Sequence, residues 1–184
     1  MRQPFHAQLH AGSVILADGA MGTQLYARGV SFEWCFDAQN LERPELVEQI
    51  HREYITAGAR LIETNTFGAN AARLGQYGLE DRVRDINVRG ARLARGAREI
   101  CGEDVLVAGS VGPTGRSLEP FGQTTAGEIY DIYREQIGAL VEGGVDLLVL
   151  ETFGNALEIE QAVLAAQAVS DLPIVAQMTF AEDL

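Results

Sequence analysis

Apolar positions along this chain switch between two spacings. Dense runs of Val, Ile and Leu occur at residues 13–19 (SVILADG), 60–67 (RLIETNTF), 104–113 (DVLVAGSVGP), 145–151 (VDLLVLE) and 172–180 (LPIVAQMTF). They are nearly continuous rather than alternating with polar residues, the pattern of parallel strands covered on both faces. Between them the apolar positions spread out to helical spacing. Residues 44–59 place Leu46, Val47, Ile50 and Tyr54 on one face, with Pro44 in the first turn and Gly58 as the stop. A short helix is expected near 69–74. A long one follows over 80–100, where Val83, Ile86, Gly90, Leu93, Ala94 and Ala97 trace the buried stripe. Thr125 and Glu128 form a Thr-x-x-Glu capping box for a helix over 125–144, and Asn155 with Glu158 resembles a second capping pair for 156–168. The Gly-marked stretch leading to Pro44 reads as loop.

Strict alternation of strand and helix points to an α/β fold, either an open doubly wound sheet or a (β/α)8 barrel. The first strand-to-helix turn is DGAMGT, whose glycine spacing does not fit a dinucleotide-binding turn. The polar residues favour the barrel. Asp18, Glu63, Ser110, Glu151 and Gln177 all fall at or near the C-terminal ends of the predicted strands, the face on which TIM barrels carry their chemistry. Two of these ends echo each other, RLIETNTFGAN and LLVLETFGNAL, as repeated units of one architecture would. Five strands in 184 residues fall short of eight, and a full barrel takes around 250 residues. The expectation is therefore one domain over 1–184 carrying about the first five βα units, truncated before the last strands.

Composition narrows the partners. A net charge of −12, with acidic residues spread along the chain and no basic stripe, disfavours nucleic acid and anionic membranes. The opening MRQPFHAQLHAGS reads as neither signal peptide nor anchor, and no apolar run approaches the roughly 20 residues of a membrane span. Cys35 and Cys101 are far apart and read as reduced thiols of a cytoplasmic protein rather than a disulfide or a metal site. His51 reads as structural or solvated. Arg116 behind the glycines of GSVGPTGRSLEPFG invites a phosphate cradle, but a rim loop is the better reading. Phe67, Phe153 and Phe180 read as core or mouth packing, and Trp34 as loop packing.

Taken together, ILADGAMGTQLYARGV, NLERPELVEQIHREYITAGARLIETNTFGAN, AGSVGPTG, LLVLETF and AQMTFAED resemble the homocysteine S-methyltransferase family from about Val14 to the C-terminus. The compact LYARGVSFEWCFDAQNLERPE segment and the AQMTFAED ending are most similar to the bacterial barrels fused to a methylenetetrahydrofolate reductase. The resemblance implies methyl transfer to the thiol of homocysteine, giving methionine. A free thiol is mostly protonated at neutral pH, and the family activates it on a zinc ion held by three cysteines. Those cysteines belong to elements after the fifth strand and are not in this sequence, so no residue here is assigned to the metal. The resemblance further implies that Glu151 receives the substrate ammonium and that Asp18 lies close to the amino acid. The amides of Gly19, Ala20 and Met21 would meet its carboxylate, while Glu63 and Asn65 mark the second strand end. The methyl donor stays open among methyltetrahydrofolate, S-methylmethionine and a corrinoid. Implied partners are homocysteine, that donor, and a folate-reductase domain or the missing barrel half. Other readings are a barrel enzyme using the strand-end acids for acid–base chemistry, or a silent barrel fragment that binds an amino acid or a partner subunit.

Overall fold

The computed structural model describes residues 4–12 and 14–180. Ser13, within the first expected strand, and residues 181–184, which include the last three of the AQMTFAED motif, lie outside them. Four strands, β1 (Leu61–Glu63), β2 (Leu106–Val111), β3 (Leu147–Phe153) and β4 (Ile174–Met178), form one sheet in the order β1-β2-β3-β4. Every pair is parallel. The helices are α1 (Phe5–His10), α2 (Met21–Ala27), α3 (Gln39–Glu42), α4 (Pro44–Thr56), α5 (Ala71–Leu74), α6 (Val83–Cys101), α7 (Ala126–Gly143) and α8 (Ala156–Val169).

Helices α4, α6, α7 and α8 pack on one another in chain order and form a single layer. Side chains at alternate strand positions meet that layer. Ile62, Val107, Leu148, Leu150 and Phe153 share one core with Ala91, Ala94 and Ala97 of α6, Ile129, Tyr133 and Ile137 of α7, and Ala162, Ala165 and Ala166 of α8. The intervening positions Leu61, Leu106, Ala108, Leu147 and Val149 form a separate cluster on the opposite face, with Ile15, Val175 and Phe5 of α1. A doubly wound sheet would bury both faces under such helices and reverse its strand order. Consecutive parallel strands with the long helices on one face and a small apolar filling on the other are the wall of a barrel.

Small residues set the spacing of the layer. A Cβ added to Gly143 of α7 would lie 2.4 Å from Ala91 Cβ of α6, so these two helices touch almost backbone to backbone. At the start of α7, Thr125 Oγ1 accepts the Glu128 N–H at 3.2 Å and the Glu128 carboxylate accepts the Thr125 N–H at 2.8 Å, the reciprocal cap the sequence predicts. Asn155 caps α8 by accepting the N–H groups of Leu157 and Glu158. Its expected partner turns elsewhere. Glu158 is buried and accepts from the Thr114 N–H (2.8 Å), the Thr114 hydroxyl (2.6 Å) and the Tyr133 hydroxyl (2.9 Å).

The first expected strand is reduced to a bridge between Ala17 and Leu61, with Asp18 N donating to Leu61 O at 2.9 Å. Val14 is 96% exposed and Leu16 57%. This segment lies at the edge of the sheet, where among the described residues only β1 pairs with it. The stretch expected to be loop contains α2 and α3, two short helices. Leu25 of α2 is buried with Val30 against Val47 and Ile50 of α4. His51 is structural, as expected, and burial pulls its pKa down to about 4, leaving the ring neutral.

Thr125→Ala removes one half of the α7 cap and should cost about 1 kcal/mol, read as a lower urea midpoint with an unchanged slope.

Candidate functional site

The two-residue alternation that buries Leu61, Ala108 and Val149 on the inner face brings Glu63, Ser110 and Glu151 to that same face at the C-terminal strand ends. Asp18 joins them from the edge segment. Its Oδ2 accepts the Glu63 N–H at 3.0 Å, which fixes the two acidic strand ends side by side. Ser110, between Glu63 and Glu151 in the sheet, donates its hydroxyl to Glu151 Oε1 at 2.6 Å. The sequence-predicted residues Asp18, Gly19, Ala20, Met21, Glu63, Asn65 and Glu151 all line one cavity of about 690 Å³. Gln177, the fifth strand-end residue, is exposed and is not among its lining residues.

Phe153 owes its direction to an irregularity. Residues two apart in a regular strand share a face, yet Glu151 faces the cavity while Phe153 is fully buried among the helices. Between them the register of β3 against β4 slips, and Thr152 adopts φ 65°. For a β-branched residue this is a costly conformation, here the extra residue of a bulge that sets the carboxylate and the ring on opposite faces.

The turn after β1 is polar because its own backbone needs partners. Asn40 donates to Asn65 O at 2.7 Å and Gln136 to Thr66 O at 2.8 Å, while Thr66 donates to Ser110 O at 2.8 Å. Asn65 directs its amide nitrogen to Phe36 O (2.7 Å) and Asn40 Oδ1 (3.1 Å), so it braces the loop carrying Trp34 to Asp37. Phe67 lies flat on the next strand end. A Cβ on Gly112 would come within 2.4 Å of its ring, so only glycine fits there.

Other walls of the cavity have no signal in the strand pattern. Phe32, Trp34, Phe36 and Tyr77 supply aromatic rims, and Arg73 of α5 also lines the cavity, its Nε donating to Pro113 O at 3.3 Å. These residues come from loops and one-turn helices, where no periodicity marks a function. Trp34 is 46% exposed with the Arg43 guanidinium 5.0 Å above its ring, which accounts for it as loop packing with an open face. Arg116 is exposed and does not line the cavity, as the rim-loop reading expects.

The electrostatics follow from burial. Removal from water pushes the Asp18 carboxyl up to about 7, against the lowering effect of the Glu63 N–H and with the Glu151 charge adding to the rise. Glu63 is pushed up to about 8 by burial first, then by the charge and hydrogen bond of Glu151 and the charge of Asp18. Asp37, which accepts the Gly68 N–H at 3.0 Å, is raised to about 6 by burial.

Among the described residues no three or more His, Cys, Asp or Glu side chains are grouped to hold a metal ion. Burial pushes the Cys35 thiol up to about 11, which disfavours the thiolate that zinc requires. Cys101 lies in a separate groove with Arg52 and Thr56 of α4. Among the described residues no helix is long and apolar enough to cross a membrane.

The sequence model of the homocysteine S-methyltransferase family matches residues 15–184. The chain belongs to that family. Among its relatives, the methionine synthase of Mycobacterium tuberculosis is 37% identical over 180 residues, 90% of this chain and 15% of that protein. The methionine synthase of Mycobacterium leprae is 38% identical over 183 residues, again 15% of its length. The metallated homocysteine methyltransferase MmuM of Escherichia coli superposes with a TM-score of 0.81 at 31% identity, covering 97% of this chain and 66% of that one. This homocysteine S-methyltransferase family chain thus spans a small part of the synthases and somewhat under two thirds of MmuM. Its partial parallel wall matches the barrel of the latter.

Two outcomes follow from this geometry. Carboxyls raised in the fold hold protons that the unfolded chain, titrating near 4, has already released. Stability therefore falls as pH rises from about 4 towards the folded-state values of about 7 for Asp18 and about 8 for Glu63, and levels off above them; Glu63→Gln should flatten the fall in urea titrations. Thr152→Gly relieves the left-handed strain at an exposed side chain and should raise stability by up to about 1 kcal/mol.

Proposed function

We propose that this chain forms the homocysteine-holding part of a methyltransferase that moves a methyl group onto the substrate thiol, giving methionine. The observation that carries the reading is the convergence of Asp18, Glu63 and Glu151 in one half-buried cavity at the C-terminal strand ends. A cavity walled by carboxylates suits the ammonium of an amino acid. Glu151, fixed by the Ser110 hydroxyl, is held on the inner face by the alternation of β3 and receives that ammonium. The turn at Gly19, Ala20 and Met21 borders the same cavity and offers amides to the carboxylate, with Asp18 between the two ends and Asn65 bracing the wall.

Homocysteine fills only part of about 690 Å³, which leaves space beside Phe67, Tyr77 and Arg73 for a small methyl donor. The thiol must be deprotonated to attack, and the described residues provide no zinc site for that step. The proposed activity therefore calls for partners that supply it, either the remaining strands of a barrel or a larger protein that includes a folate-reductase domain. The cytoplasm, rich in reduced thiols, is the compartment that suits a thiol substrate.

Calorimetric titration of the chain with reduced L-homocysteine tests the assignment. Glu151→Gln should weaken binding by about 1–3 kcal/mol, or roughly 5- to 150-fold, as expected for losing a charged hydrogen-bond partner. An unchanged affinity would remove Glu151 from the ammonium site.

A further inference from the structure

Two acidic side chains crowd the inner face. Glu63 and Glu151 come from strands on either side of Ser110 and line the same cavity, where the charge of Glu151 opposes ionisation of Glu63. Both are acceptors when ionised, so they can bond to each other only if one of them carries a proton. Ser110 does not supply it, because its single hydroxyl proton already points at Glu151 Oε1, at 2.6 Å. Asp18 does not relieve the crowding either. Its Oδ2 faces the Glu63 N–H, and its charge adds to the repulsion felt by Glu63.

We propose that Glu63 is the second carboxylate of the amine pocket, and that the empty site holds one proton between Glu63 and Glu151 which an incoming ammonium displaces. The inference rests on the assignment of Glu151 to the substrate ammonium. The exchange balances: the protonated pair and R–NH3+ give the doubly ionised pair bound to R–NH3+, and one proton leaves to solvent. An ammonium has three N–H donors and can serve both carboxylates at once, whereas the single proton serves one bond.

The surrounding groups favour this exchange. Ser110 from β2 and Asp18 from the edge segment adjoin the pair, and Asp37, Cys35 and Arg73 from the loops and α5 line the same cavity. The influences on Glu63 are burial, Glu151 and Asp18, all of which favour its protonated form; burial and this crowding push it up to about 8. The Arg73 charge acts instead on Asp37 and Tyr133. Two ionised carboxylates in one partly buried cavity are disfavoured until a cation arrives. The stored proton is a placeholder for that cation. It also makes the pocket selective, because a thiol acid lacking the amine cannot take the proton's place.

Two measurements on the full chain test this. Carbon-13 carboxyl NMR of the ligand-free protein should show Glu63 and Glu151 titrating together, with one step above pH 7 that disappears in Glu63→Gln. Titration calorimetry with L-homocysteine at pH 7, in buffers of different ionisation enthalpy, should show release of about one proton per ligand bound, falling towards zero in Glu63→Gln. Absence of the step above pH 7 overturns the stored proton. Homocysteine binding without proton release, or with release unchanged in Glu63→Gln, overturns the exchange while leaving the Glu151 assignment intact. A chain that shows the step but binds no homocysteine overturns the exchange and the functional reading together.

Discussion

A parallel strand shows its side chains alternately to the two faces of its sheet, and here the long helices claim one of those faces. Everything at the site depends on that division. Because Ile62, Val107, Leu148 and Leu150 are committed to the helix layer, the residues between them have only the inner face left. At the lower levels that face takes Leu61, Leu106, Leu147 and their neighbours, which fill it with apolar volume. At the last level it takes Glu63, Ser110 and Glu151. The same register that packs the core therefore gathers the acids, and a one-residue slip in any strand would exchange the two sets.

The acids are costly to keep where they are. Asp18, Glu63 and Asp37 are all pushed towards the neutral form by burial, and backbone N–H groups offset this in part only at Asp18 and Asp37. The chain accepts a poorly solvated group of carboxyls at one end of its sheet while the apolar core lies below them. Strain adds to this at Thr152, whose left-handed backbone separates Glu151 from Phe153. A fold optimised for stability alone would have neither feature.

The strands and long helices were legible because burial imposes a period on the residues that meet the core. Helix α7 and its Thr125–Glu128 cap were fully encoded in local sequence, and so were the acidic strand ends. Legibility failed where the determining contact is distant in sequence. The Val-Ile-Leu run at 14–16 has the composition of a buried strand, yet lies on an edge and forms only a bridge. Glu158 looked like a capping partner of Asn155, but Thr114 and Tyr133 draw it into a buried contact that no local pattern announces. Arg73, Tyr77 and the aromatic rims reach the cavity through the path of loops, and Asn65 showed its polarity without showing that Phe36 and Asn40 are what it holds.

The brace behind the β1 turn has a consequence in time. The carbonyls of Asn65 and Thr66 find their donors on Asn40 and Gln136, which lie 25 and 70 residues away in sequence. Asn40 also donates to Ile86 O, 46 residues from itself. Such closures follow the docking of the segments they join, since each loop must lose its freedom before its bond forms. The turn that presents Glu63 therefore acquires its final shape only once α3, α6 and α7 have docked. Until then its carboxyl faces water and titrates as an ordinary acid.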